Sequence, residues 1–284
     1  MQMTDENRIK PNYRPKDNEN CPCRSGEPFG KCCKSKNNEY YSLGKNYQNR
    51  KVIVNLTKSN ARFEKVHQIL FEITYTYGSS SISISKAIEY LKTLYSLLQD
   101  DIDEIKSYIP CNKGCSYCCY SLMLSTAIEA EYIRQYIKAD FTEEQKNELL
   151  SYLRSNYDPE YSFKRLYELD EKGLNIAGKE YLKKILPCPF LKGDVCLIYE
   201  VRPFACRKHM VLSEAINCAS GSRKEKRAQL QLFNPVRIGL DVMMQPVERY
   251  KGLWDKRTYP STSIVKTVYE WFSKGFNGID LEGL

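Results

Sequence analysis

The residues in this chain best suited to chemistry are its 12 cysteines, which fall into three tight groups. The first is Cys21, Cys23, Cys32 and Cys33; the second is Cys111, Cys115, Cys118 and Cys119; the third is Cys188, Cys196, Cys206 and Cys218. Thiolates select zinc, copper(I) or iron–sulfur clusters over hard, oxygen-seeking cations, and four of them complete a tetrahedral shell. In a reducing compartment, dense cysteines are metal ligands or catalytic groups more often than disulfides. The leading expectation is therefore a metal-binding protein.

The first group places two cysteines one residue apart and two adjacent cysteines after eight further residues. Ser25, Gly26 and Pro28 supply the turn chemistry that lets the pairs converge. So short a segment has little apolar surface of its own. Zinc could supply the missing free energy, on the order of 10–16 kcal/mol in finger peptides. In the second group the steps of four, three and one predict a thiol face on a helix that starts after Pro110. The third lies in turn-rich sequence, where Leu197, Ile198 and Phe204 could shield an ion and Arg202 and Arg207 could offset thiolate charge. Cys218 reads equally well as a ligand or a plain buried thiol; His209 could ligate, but a single histidine is more often structural.

The run from Cys21 to Cys33, Cys-Pro-Cys followed by Ser25-Gly26, Phe29 and Cys32-Cys33, resembles the SEC-C zinc motif. Arg24 stands where that family usually has glycine. The resemblance implies a small zinc module that docks a protein partner. The second and third groups together resemble the YkgJ-type cysteine-cluster family of zinc- or iron-chelating proteins. The resemblance rests on Lys113-Gly114-Cys115, Cys118-Cys119, Glu129-Ala130, Cys188-Pro189-Phe190-Leu191, and Cys196 through Ile198-Tyr199 and Arg202-Pro203 to Cys206-Arg207. It implies Cys111, Cys115, Cys118, Cys119, Cys188, Cys196 and Cys206 as ligands of zinc or a 4Fe–4S cluster.

Two enzyme readings stand beside this one. One branch of the same family looks like flagellin lysine N-methylases, which use S-adenosylmethionine, although no glycine-rich nucleotide loop supports that activity here. Cys111-x3-Cys115-x-Tyr117-Cys118 also looks like the radical S-adenosylmethionine signature, in which three thiolates hold a 4Fe–4S cluster. That fold needs repeated strand–helix units after the motif, and the sequence that follows is helical in pattern.

The elements that must position these thiols are mostly helices. Phe63, Val66, Ile69 and Leu70 recur at helical steps until Gly78-Ser79-Ser80-Ser81 breaks the pattern. Ile88, Leu91, Leu94, Tyr95, Leu98, Ile102 and Ile105 mark a second, long helix. Thr126 with Glu129 and Thr142 with Gln145 have capping-box spacing, and Asp158-Pro159 and Asn234-Pro235 offer further starts. Val195 to Tyr199 is the one brief strand candidate. The expected architecture is mainly α: a metal-stapled helical domain over 61–284, preceded by a disordered tail at 1–18, a small irregular zinc-binding module at 19–36 and a linker at 37–60.

The formal net charge is +8, concentrated at the two ends. Arg223-Lys224-Glu225-Lys226-Arg227 is broken by an acid and lacks interleaved aromatics, a poor nucleic-acid signature that reads better as a solvated surface. No apolar run reaches the roughly 20 residues that cross a bilayer. With a polar N-terminus, the expectation is a cytoplasmic protein.

Overall fold

A computed structural model describes residues 8–218, 224–250 and 265–278. Two-stranded sheets and helices make up its regular structure, so the chain is mainly α as expected. A short helix α1 (Phe29–Cys32) ends in the first cysteine group and precedes a hairpin of β1 (Tyr40–Lys45) and β2 (Lys51–Asn55). Two long helices follow, α2 (Leu56–Tyr77) and α3 (Ile84–Ile105). Asn55 accepts from the Lys58 backbone N–H at 3.0 Å and opens α2; Ser83 accepts from Lys86 and opens α3. The periodic apolar positions of both helices face inward: Phe63, Val66 and Leu70 on α2, and Leu91, Leu94 and Leu98 on α3, are all buried.

Strand β3 (Leu124–Thr126) leads into α4 (Ala127–Asp140), which is followed by α5 (Glu143–Ser155), α6 (Phe163–Tyr167) and α7 (Glu171–Lys183). Both expected capping boxes are present, Thr126 with Glu129 and Thr142 with Gln145. A two-residue hairpin, β4 (Leu191–Lys192) with β5 (Val195–Cys196), precedes α8 (Phe204–Lys208). Helix α9 (Phe233–Tyr250) lies across α2 and α3. The approach is close at Gly239, where an added Cβ would stand 3.0 Å from Leu94 Cδ1 and 3.3 Å from Leu70 Cδ1. Strand β6 (Val265–Thr267) pairs antiparallel with β3 and feeds α10 (Val268–Phe272), whose Trp271 donates its indole N–H to the Ser125 carbonyl at 3.0 Å.

Three expectations need correction. Residues 37–60 hold a hairpin rather than a linker: Tyr41, Val52 and Val54 join the main core, and α2 already begins at Leu56. Gly44, at φ 89°, provides the bulge where the register shifts. Residues 1–7 of the tail lie outside the described residues, but residues 8–18 are packed: Ile9 donates to Gln231 Oε1 at 3.0 Å, and Asn12 Oδ1 accepts from Ser42 at 2.7 Å. Asn234-Pro235 does mark a helix start, but the pair lies inside the first turn of α9, which begins at Phe233, instead of capping it. Asp158 does cap a turn, accepting from Glu160 at 3.0 Å, but only a short 3-10 one. Arg223 lies outside the described residues.

A buried ion-pair network joins the hairpin to the long helices. Arg62 on α2 donates to Asp101 and to Glu104 on α3, each at 2.6 Å, and Ser59 donates to Asp101 at 2.9 Å. Glu104 also accepts from the Asn55 backbone at 3.1 Å. Removing one partner of a buried pair leaves an uncompensated charge. Arg62→Met is therefore expected to destabilise the fold by about 3–5 kcal/mol, read from the shift of the urea unfolding midpoint at unchanged slope.

Candidate metal centres

The first cysteine group is folded into a compact knob. The Cys21 N–H donates to the Glu27 carbonyl and the Arg24 N–H to the Cys21 carbonyl, both at 2.9 Å, which closes the turn that brings the two cysteine pairs together. Phe29 and Tyr40 cover the knob with an edge-to-face contact. The sulfur or other donor atoms of Cys21, Cys23, Cys32 and Cys33 all lie within 4.8 Å of one another; Cys23 and Cys32 are 3.4 Å apart, and Cys32 and Cys33 are 3.7 Å apart. A tetrahedral ion with bonds of 2.3 Å needs sulfurs about 3.8 Å apart, so the four stand close to the spacing of a zinc shell. A hydrogen bond from Ser25 brings the Cys23 thiol down to about 6, whereas burial pushes Cys21 up to about 12. The knob thus already favours a thiolate at its exposed cysteine.

Arg24 sits in the left-handed region at φ 65°. A non-glycine residue there costs on the order of 1–3 kcal/mol, which explains why the resembling family uses glycine at this turn. Here the side chain offsets that cost. Its guanidinium stacks over Tyr108 at 5.1 Å and donates to the Glu104 carbonyl at the end of α3, which fastens the knob to the helical body.

The second group is not a helix face. Pro110 bends the chain, Gly114 adopts φ 97°, and only Tyr117–Tyr120 forms a single 3-10 turn. The Cys115 N–H donates to the Asn112 carbonyl at 2.9 Å in a tight loop instead of joining an α-helical ladder. The third group comes to meet it: the Cys188 N–H donates to the Cys119 carbonyl at 2.7 Å. Cys196 is carried on β5 and Cys206 on α8.

Cys115, Cys118, Cys119, Cys188, Cys196 and Cys206 line one cavity of about 110 Å³, together with Met123 and Arg202. Cys111 lines an adjoining cavity of about 500 Å³, whose wall also includes Cys115, Cys118 and Cys206. Six of the seven expected ligands thus share one cavity and the seventh stands beside it. Among the described residues, no three of these seven sulfurs lie within 4.8 Å of one another, in contrast to the knob. The Cys206 thiol donates to the Met123 sulfur at 2.9 Å.

The electrostatics favour one thiolate among the seven. A hydrogen bond from Cys119 lowers Cys118 to about 7, and Arg202 adds to that shift. Burial raises Cys188 to about 12 and Cys111 to about 11, and it also raises Cys196 and Cys206. The positive charge of Arg202 acts against burial at Cys111, Cys196 and Cys206. Arg202 therefore does what its place in the sequence suggests. Arg207 does not: it donates to the carbonyls of Arg202 and Glu200 at 2.9 and 2.7 Å and lies over the Tyr95 ring, so it braces the loop from behind.

Glu129 is a residue whose importance to the site goes beyond what its capping role suggests. Its buried carboxylate accepts from Thr126 and from the Phe204 backbone N–H at 2.6 Å, and from the Tyr95 hydroxyl. It thereby holds the start of α8, and with it Cys206, against α3 and α4. Nothing in the sequence pairs Glu129 with residue 204.

Residues 110–228 match a protein-family model, CxxCxxCC, whose description reads "Putative zinc- or iron-chelating domain". No curated protein and no solved structure matches the chain. The cysteine clusters and this match together establish the chain as metal-binding in character. The match leaves open which metal is held. Among the described residues the sheets have only two strands each, so the strand–helix repeats that the radical S-adenosylmethionine reading needs are not built. No helix among the described residues is long and apolar enough to cross a membrane.

The knob generates a direct test. Cys32→Ser is expected to remove one equivalent of zinc from the full chain and to open residues 19–36 to protease while the helical core stays folded. Elemental analysis and limited proteolysis of the purified variant measure both effects.

Proposed function

We propose that this chain is a two-part metal protein, with a zinc-stabilised docking knob at Cys21, Cys23, Cys32 and Cys33 and a 4Fe–4S cluster held by the cysteines of the helical domain. The observation that carries the second half is the contrast in spacing. The knob sulfurs sit near the edge length of a single ion's shell, whereas six of the seven main-domain cysteines surround a shared space and, among the described residues, no three of the seven sulfurs are in such proximity. A polynuclear cluster places its own iron and sulfide atoms between its cysteines and so needs them further apart than one zinc does. A family described as zinc- or iron-chelating is consistent with either filling.

When bound, such a cluster would supply electron transfer or Lewis acidity at iron. The chain's own residues do the remainder. Cys115, Cys118, Cys119, Cys188, Cys196 and Cys206 provide more thiols than four irons require, and Cys111 stands next to them. Arg202 offsets their negative charge. Ile198 and Phe204, both buried, exclude water from one side. Resemblance to the SEC-C motif supports a protein partner for the knob, and its exposed Lys31 and Lys36 suit an acidic surface on that partner.

The 500 Å³ cavity favours a second reading, as a protein-lysine N-methylase. It lies beside the thiols and is lined by Lys92, Asp100, Asp103, Tyr132 and Arg202, and its size suits a cofactor such as S-adenosylmethionine. Binding of labelled S-adenosylmethionine by the intact protein supports this reading; its absence at millimolar cofactor removes it.

For the leading reading, protein purified without air is expected to be brown, with about four iron and four acid-labile sulfide per chain beside the knob's zinc. Cys119→Ser is expected to lower the iron and leave the knob zinc in place. Colourless protein carrying zinc alone would refute the cluster.

A further inference from the structure

One group of metal-binding side chains stands beside the thiol cavity without belonging to its seven expected ligands. The donor atoms of His209, Cys218 and Glu225 all lie within 4.8 Å of one another. The three residues come from different local structures. His209 follows α8, Cys218 ends a 3-10 turn at Ala215–Cys218, and Glu225 begins the segment leading towards α9.

A short ladder brings the first and last of these together without help from any cysteine. The Leu212 N–H donates to the Lys226 carbonyl at 2.7 Å and the Ala228 N–H to the Met210 carbonyl at 2.8 Å, with Val211 bridging Arg227 between them. This antiparallel pairing fixes the chain either side of Val211 against the chain either side of Arg227, and across it His209 Nε2 and Glu225 Oε1 stand 3.7 Å apart. Zinc with nitrogen at about 2.0 Å and oxygen at about 2.1 Å needs those atoms about 3.3 Å apart, which is reached by a few tenths of an ångström of side-chain movement.

A second observation points to a ligand. His209 Nε2 is buried and has no hydrogen-bond partner among the described residues. Buried polar atoms are nearly always satisfied, so an orphaned imidazole nitrogen aimed at a thiol and a carboxylate calls for an occupant. Cys218 is itself buried, and the Glu225 side chain is only 11% exposed. Arg227 donates to Glu225 Oε1 at 2.5 Å. A carboxylate has further lone pairs, so Glu225 can keep Arg227 as an orienting partner and still ligate, the usual arrangement around a metal-bound carboxylate.

We infer that His209, Cys218 and Glu225 form a mononuclear site for a divalent transition-metal ion. One thiolate and one carboxylate neutralise a divalent charge, and a set of one nitrogen, one sulfur and one oxygen is a zinc donor set. Three protein ligands leave a fourth position for water. His209 and Cys218 also line the 500 Å³ cavity, so that position has access to the space beside the thiols. The site is separate from the knob and does not depend on which metal the seven thiols hold.

The test uses full-length protein purified without air and then dialysed against Co2+, with zinc, cobalt and iron counted together. Wild type is expected to hold one more equivalent of zinc plus cobalt than His209→Gln, Cys218→Ser or Glu225→Gln. Cobalt at the site should show the visible bands of a tetrahedral ion. Iron content and the knob zinc should be unchanged in all three variants, because none of the three residues is among those ligands. Glu225→Gln is the most conservative of the three and keeps the fold readable if the others are poorly stable. Equal zinc-plus-cobalt counts in wild type and Glu225→Gln would overturn the site. So would loss of iron or knob zinc in step with the cobalt in every variant, which would make the three residues a structural support. Iron content in Cys119→Ser tests the cluster reading separately, so the two proposals fail independently.

Discussion

A single buried carboxylate ties α8, which carries Cys206, to the helical scaffold. Glu129 is 3% exposed and accepts hydrogen bonds from its own helix start, from the Tyr95 hydroxyl on α3 and from the Phe204 N–H that begins α8. Charge-assisted bonds of this kind are roughly twice as strong as neutral ones. Their directionality matters as much as their strength. Short α8 has little packing surface of its own, so its orientation, and with it the direction of Cys206, is set by the acceptor at its N-terminus. The same group completes the capping box of α4, so the position of the thiol loop is linked to the helix that packs on α3.

The two halves of the molecule relate to metal in different ways. The knob has a core of Cys21, Phe29, Cys33 and Tyr40, too little apolar surface to fold without help. A metal held there would therefore supply a large part of its stability, with folding and binding coupled. The helical body, by contrast, buries a continuous apolar core from Tyr41 to Phe276. There a metal would fix the positions of loops on a scaffold that already exists. Arg24 connects the two regimes: a residue held in a strained backbone conformation is kept there because its side chain reaches α3 and Tyr108.

Much of this was legible from residue patterns. The long helices α2 and α3 follow their apolar spacing, and α4 and α5 start at the capping boxes, because both signals are local and their physics involves only neighbouring residues. The errors arose where a local pattern was overridden from a distance. Cys111 to Cys119 have helical spacing, yet Pro110 and the positive φ at Gly114 favour a tight loop, and Cys119 gives its carbonyl to Cys188 instead of to a helical ladder. Val52 and Val54 alternate as a strand should, but a five-residue strand amid Tyr and Asn is a weak signal until the core that buries it is known. The pairing of Glu129 with residue 204 and of His209 with Glu225 is long-range and has no trace in spacing.

Distance between sulfurs is the property that separates the chain's thiol groups chemically. A lone cation draws its ligands to a common point, so its sulfurs must approach one another to nearly van der Waals contact. The knob does this within one turn of chain, where adjacent cysteines and a closed loop leave little choice. In the body, the thiols come from a loop, a hairpin and a helix start, and the scaffold sets how far apart those three can be. A cavity of about 110 Å³ among six thiols is larger than one zinc ion fills, while the packed backbone behind it resists collapse onto a smaller guest. The rigidity that Glu129 and the main core impose therefore sets the spacing of the body's thiols before any metal arrives.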